Sequence, residues 1–134
     1  MKRLALILLF IGAFFCVKAQ TNSLNIYKID KMLKGQWVSV EDTAFKVTIK
    51  GDTLIEKRPY ERRRYTFTIE NESCDADEDK RFAKKSKLTP TGFYLNESSM
   101  AYDGVQYCDI LVSISDSTMT WFSTGKLINL TKKK

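Results

Sequence analysis

The chain has 134 residues, a formal net charge of +6 and no histidine. This length suits one domain with a modest core. Histidine is the usual general base near neutral pH and the commonest metal ligand, so its absence argues against an enzyme and a metal site. We therefore predict no catalytic residues, no metal and no cofactor.

The N-terminus has the features of a signal peptide. Lys2 and Arg3 precede an apolar run of about fourteen residues, and Val17-Lys18-Ala19 offers a cleavage site. The run is shorter than the ~20 residues that a membrane-spanning helix needs. We predict that residues 1–19 are removed and that no stable membrane anchor remains. A retained anchor helix and lipidation at Cys16 are the alternatives.

Removal of this segment changes the charge of the chain. It takes away three cations and no acid, which leaves 115 residues with a net charge of +3. Export and this modest charge both disfavour nucleic acid as a partner. We expect a periplasmic or secreted location.

Two cysteines remain after the predicted cleavage, Cys74 and Cys108. An even number of cysteines in an exported chain favours a disulfide, because the compartment is oxidising. The alternative is a pair of unrelated buried thiols.

Residues 20–34 are predicted to be an approach segment with a short helical turn around 31–33. Asp30 is a candidate cap for this turn, and Gly35 ends it.

From there on, apolar and polar residues alternate with a period of two, which is typical of half-buried antiparallel strands. Turn residues separate the strands, and no helix is predicted between them, so the order indicates a meander barrel or a sandwich. The predicted strands lie near 36–40, 45–50, 53–57, 62–69, 92–96, 110–114, 119–123 and 127–131, with a possible further strand at 81–88.

The stretch from 70 to 91 is the least regular part of the chain, and we predict a solvated loop with an irregular edge strand. Asp75, Asp77 and Asp79 have the spacing that opens a calcium loop. Lys80 and Ser86 stand where such a loop needs glycine and glutamate, so a calcium site is rejected.

The triplet Gly35-Gln36-Trp37, entering the first strand after a helical turn, resembles the lipocalin and wider calycin pattern. The ending from Ile110 to Thr131 is similar to that of small lipocalin-like secreted proteins of the Bacteroidota. The resemblance implies an eight-stranded barrel over residues 35–132 with Trp37 as a core plug near its closed end. In place of the arginine that stacks on this tryptophan, the chain has Lys132–Lys134.

A basic cluster surrounds Pro59-Tyr60, and one of its members shares the apolar phase of the next strand. Arg63 is in phase with Tyr65 and Phe67. An arginine at that position would lie at a barrel mouth, where it could bind a carboxylate or phosphate group with aromatic side chains below. Arg63, Tyr65 and Phe67 are therefore the candidate ligand-binding residues; the alternative is a solvated hairpin end.

Two functions remain open at this point. The first is a lipocalin-like protein that binds a small apolar or amphipathic ligand at one barrel end. The second is a protein-interaction module, such as an inhibitor or an envelope accessory factor, with a filled barrel and with residues 70–91 as its contact segment. A hollow interior would favour the first function and a filled one the second.

Overall fold

The computed structural model describes residues 24–134, so the predicted signal peptide and Cys16 lie outside the described part. Eight antiparallel strands follow one another around a closed barrel, and β1 pairs with β8 to complete it. The predicted all-β antiparallel meander barrel is confirmed. The elements are α1 Ile26–Leu33, β1 Gly35–Ser39, β2 Lys46–Lys50, β3 Thr53–Arg58, β4 Glu61–Glu70, α2 Ala76–Lys85, β5 Phe93–Ser99, β6 Gln106–Ile114, β7 Thr118–Ser123 and β8 Lys126–Lys132.

The two-residue alternation places one face of each strand inside the barrel. Large side chains fill this interior, and Trp37 and Trp121 are both fully buried. The interior cluster comprises Ile29, Leu33, Trp37, Phe45, Val47, Ile49, Leu54, Tyr65, Phe67, Leu95, Leu111, Met119, Trp121 and Leu130.

Helix α1 covers one end of the barrel through the fully buried Ile29 and Leu33. The predicted cap was wrong. Asn25 caps the helix by accepting a hydrogen bond from the backbone N–H of Lys28 at 2.8 Å, so the helix begins a full turn earlier than predicted. Asp30 lies inside the helix and pairs with Lys34 at 2.8 Å.

Trp37 lies under this helix and joins it to the strands. Its indole Nε1 donates to the carbonyl oxygen of Leu33 at 2.8 Å. The Lys132 ammonium lies 4.8 Å from the Trp37 ring centroid and donates to the carbonyl oxygen of Met32 at 2.7 Å. Lys132 thus makes the cation–π contact for which the resemblance implies an arginine.

The predicted loop at 70–91 and the possible strand at 81–88 were wrong, because residues 76–85 form helix α2. Asp75 caps it by accepting from the backbone N–H groups of Asp77 and Glu78. The acidic run therefore begins a helix, where negative charge is favourable. Phe82 packs against Phe122 on the outer face of the barrel, with ring centroids 5.3 Å apart.

The predicted disulfide is confirmed: Cys74 and Cys108 are joined across a sequence separation of 34, with their Cα atoms 5.7 Å apart. The bond links the segment just before α2 to β6. A disulfide is typical of proteins that fold in an oxidising, extracytoplasmic compartment. Among residues 24–134, no helix has the length and apolar character needed to cross a membrane.

Replacing Asp75 with alanine will lower the free energy of unfolding by about 1 kcal/mol, because two amide donors of the first turn of α2 lose their acceptor. Urea unfolding followed by circular dichroism measures this change. Glu72→Ala, a change of an exposed acid outside the helix, is the matched control. Equal midpoints for the two variants would show that the cap contributes nothing to stability.

Candidate functional site

The end of the barrel opposite α1 carries a cavity of about 600 Å³. The β3–β4 hairpin and the loop between β5 and β6 form its rim, and we call this region the mouth. The cavity is lined by Glu61, Arg62, Arg63, Arg64, Tyr65, Ser99, Met100, Ala101, Tyr102 and Tyr107.

Arg63 lies at the mouth, half-exposed, in register with Glu56 of β3. Its Nε donates a hydrogen bond to Oε1 of Glu61 at 2.6 Å, and its guanidinium also donates one to the Tyr65 hydroxyl oxygen. Hydrogen bonds to Glu61 first and to Tyr65 second raise the pKa of Arg63 above its usual value. A permanent positive charge is therefore held at the rim by two neighbours.

Tyr65 and Tyr107 form the inner wall of the cavity. Their rings meet edge to face, with centroids 5.7 Å apart and an interplanar angle of 89°. Burial, followed by the nearby Glu56 carboxylate, raises the pKa of Tyr65 to about 12, so its hydroxyl stays protonated near neutral pH.

Phe67, the third predicted ligand-binding residue, does not line the cavity. It lies deeper, and the Lys34 ammonium is 5.3 Å from its ring centroid.

Several mouth residues were missed in the sequence. Met100 and Tyr102 are exposed in the loop between β5 and β6, where no periodic pattern marks them. The only signal in the sequence was the presence of large apolar residues in an otherwise polar loop, where they are expected to be exposed. Tyr107 has the same phase as Leu111, whereas the more regular apolar period of this strand, which begins at Ile110, excludes both.

Carboxyl groups lie one layer beneath the mouth, which the sequence analysis did not predict. Glu97 is opposite Tyr107 and Phe67 in the sheet, and Asp109 follows Tyr107 by two residues on the same face of β6. Each of the two acids is 2% exposed. Glu56 of β3 lies beside them at the edge of the interior and is partly buried.

Burial is the main cause of the shifted acidities of this pair. It raises the pKa of Glu97 well above its usual value, and the nearby Asp109 raises it further. Burial also raises the pKa of Asp109 to about 6, against the opposing effect of a hydrogen bond from Ser123. The two carboxyl groups form a hydrogen bond with each other, and such a bond requires a proton on one of them.

The surroundings of this pair, as far as the structure describes them, supply no compensating cation. Across residues 24–134, neither Glu97 nor Asp109 forms an ion pair. No N–H or hydroxyl of the same residues reaches Oε1 of Glu97, and the buried indole Nε1 of Trp121 also lacks a partner. No group of three or more potential metal ligands occurs in this described part of the chain. The acids are thus a buried pair that forms no ion pair within the described part of the chain.

Comparisons with protein-family models, with curated proteins and with solved structures found no match. The lipocalin-like family therefore stays a prediction that depends on Gly35-Gln36-Trp37 and the strand order.

The groups at the mouth are suited to contact with a molecule that has an acidic group and an apolar body. Guanidinium groups can hold a carboxylate or phosphate group through paired hydrogen bonds. Tyrosine rings supply apolar area with a polar edge. Glu97 and Asp109 are shut off from solvent, so acid–base work on a bound molecule would first require the tyrosine wall to open.

Proposed function

We propose that this chain is a non-catalytic, lipocalin-like binding protein, periplasmic or secreted, that holds a small amphipathic acid at the barrel mouth. The supporting observation is the cavity of about 600 Å³ in which Arg62, Arg63 and Arg64 lie beside Tyr65 and Tyr107. This volume is within the range of small-molecule sites, roughly 300–1,000 Å³. The disulfide supports the location.

The filled interior sets the depth of the proposed site. The side chains of Trp37 and Trp121 have no solvent-exposed surface inside the barrel, and Phe67 is buried below the tyrosine wall. An eight-stranded barrel either fills with side chains or encloses one small ligand. The ligand therefore lies at the mouth, with its acidic group at the arginines and its body against the tyrosines.

Arg63→Ala will weaken the binding of an acidic lipophilic probe such as 8-anilinonaphthalene-1-sulfonate about tenfold or more, because a charge-assisted hydrogen bond is lost. Fluorescence titration measures the dissociation constant. Lys80→Ala removes the same charge from α2, at a residue that does not line the cavity, and should leave the titration unchanged. An Arg63→Ala titration that overlays the wild-type curve would refute the mouth as the site.

A protein-interaction module is the second candidate, and the filled barrel favours it. Tyr60, Met100 and Tyr102 are exposed around the mouth, and Leu88 is exposed after α2, beside a groove of about 380 Å³. Exposed apolar residues of this kind are common at protein contacts. Native mass spectrometry of the purified protein separates the two candidates. A co-purified small molecule supports ligand binding, whereas a bare chain that binds no acidic probe supports the module.

A further inference from the structure

The outer wall of strands β1 to β4 carries a second concave surface, a groove of about 310 Å³. Of the described residues that line it, four are exposed cations and none is an acid. The cations are Lys46, Lys57, Arg62 and Lys133, and we call this surface the basic groove. Arg62 also lines the mouth cavity, whereas the three lysines do not.

Strand alternation and register place three of these cations in one row. Val47 is buried inside the barrel, so its neighbour Lys46 is on the outer face of β2. Lys46 is directly opposite Lys57 of β3, and Lys57 is directly opposite Arg62 of β4. Residues that are directly opposite in adjacent antiparallel strands are about 5 Å apart. Three positive charges from consecutive strands therefore cross the groove in a line.

This row of charges is unfavourable for the sheet itself, because like charges directly opposite each other destabilise strand pairing. Within residues 24–134, none of the four cations forms an ion pair. Glu61, the acid next to Arg62 in the chain, pairs with Arg63 instead. A bound chain of negative charges would neutralise the row and remove the repulsion.

The other residues of the basic groove distinguish between classes of polyanion. Trp37 is the only aromatic residue among those described in its lining, and its side chain is fully buried, so nucleic-acid bases have no ring on which to stack. Val38 and Ile55 are half-buried and do not protrude as a bilayer anchor would. Gln36 and Thr48 supply neutral hydrogen-bonding groups, which suit the hydroxyl groups of a sugar chain.

We propose that the basic groove binds a linear acidic polysaccharide. Its carboxylate or sulfate groups pair with the row formed by Lys46, Lys57 and Arg62, and with Lys133 beside it, through charge-assisted hydrogen bonds. The inference goes beyond the proposed function and does not depend on it, because it concerns the outer wall of the barrel. The disulfide favours an extracytoplasmic compartment, where nucleic acid is not the expected polyanion.

The test is isothermal titration of the purified protein with heparin oligosaccharides and with alginate oligosaccharides, which carry carboxylates but no sulfates. A triple variant with Lys46→Gln, Lys57→Gln and Lys133→Gln should bind both at least about tenfold more weakly, because charged hydrogen bonds are lost. The slope of log Kd against log salt concentration should fall by about 2, since each cation that releases a counterion from a flexible polyanion contributes about 0.7.

The matched control is a second triple variant that loses the same charge outside the basic groove. It carries Lys31→Gln, Lys84→Gln and Lys87→Gln, all at exposed positions. At physiological ionic strength, distant surface charges are largely screened, so this variant should bind within about twofold of the wild type. Equal losses in the two triple variants would overturn the basic groove as the site.

Lys57→Gln gives a second readout, in which stability and affinity change in opposite directions. Because Lys57 lies between Lys46 and Arg62, its neutralisation should raise the urea midpoint of the free protein while it weakens oligosaccharide binding. Lys87→Gln should change neither quantity. A Lys57→Gln midpoint at or below that of the wild type would refute the repulsive row from which the proposal is argued.

Further titrations test the class of partner. Absence of binding to both oligosaccharides would overturn the proposal. Tighter binding of a single-stranded oligothymidylate, of polyglutamate or of phosphatidylglycerol vesicles would overturn the polysaccharide in favour of nucleic acid, an acidic protein or a lipid surface. The mouth is tested separately: the lysine triple variant should keep the binding of 8-anilinonaphthalene-1-sulfonate, and Arg63→Ala should keep the binding of the oligosaccharides. Loss of either would refute the separation of the two sites.

Discussion

Replacing Cys74 and Cys108 with serine will lower the free energy of unfolding by about 3–4 kcal/mol, the largest loss that we expect from changing a single bond of this fold. The disulfide closes a loop of 34 residues. It limits the conformations of the unfolded chain, and loop-closure entropy gives about this magnitude at that length. Urea unfolding of both proteins, with and without dithiothreitol, measures the difference.

A second feature of the same curves identifies the cause. If the bond acts on the unfolded state, the serine variant unfolds to a more expanded chain and its m-value rises. Dithiothreitol should bring the wild type to the variant's midpoint and should not move the variant. A loss of stability without a change in m-value would instead place the effect of the bond in the folded state, at the junction of α2 and β6.

Most of the barrel could be predicted because its strands have one buried and one solvated face. Val47 and Ile49 on β2, or Tyr65 and Phe67 on β4, alternate with polar residues, and this period specifies the strand and its inward face together. Turn residues between the strands specify the hairpin order. The sequence could not separate a barrel from a sandwich, because closure depends on the pairing of β1 with β8, which are distant in the chain.

Strand β6 shows where this reasoning fails. Its residues Ile110, Leu111 and Val112 are all buried, because the barrel interior takes Leu111 and helix α2 covers the other two. With both faces buried, the alternation no longer tells inside from outside. The helix itself was missed because Phe82 is its only large apolar residue, so its period of 3.6 is not visible in the sequence.

The two buried faces of β6 also hide the acids in the sequence. The apolar period that Ile110, Val112 and Ile114 share leaves Asp109 out of phase, and the local pattern around Glu97 has no distinguishing feature. Arg63 could be found because its phase relative to Tyr65 is unambiguous. The pattern of β4 alone was therefore enough to predict Arg63 at the rim of the site. The acids beneath the rim follow only from the pairing register of β4, β5 and β6.

The buried acids lead to the second prediction of large effect: the protein will be more stable at pH 5 than at pH 8. The folded-state pKa of Asp109 is raised from 3.8 to about 6, so the folded protein binds more protons than the unfolded chain between these values. Stability therefore falls as the pH rises from about 4 to about 6. The raised pKa of Glu97 adds to the fall and extends it upward in pH.

Glu97→Gln and Asp109→Asn should flatten the dependence of stability on pH. Each variant replaces one carboxyl group of the pair with an amide, which does not titrate but can still donate a hydrogen bond to the other carboxyl group. Both variants should exceed the wild type in stability at pH 8, where ionised acids in the interior weaken the barrel most. Urea midpoints from pH 4 to pH 9 measure the effect, with Glu72→Gln as the exposed control that keeps the wild-type slope. A wild-type curve that rises with pH would mean that the two acids are solvated, and their burial beneath the mouth would then be refuted.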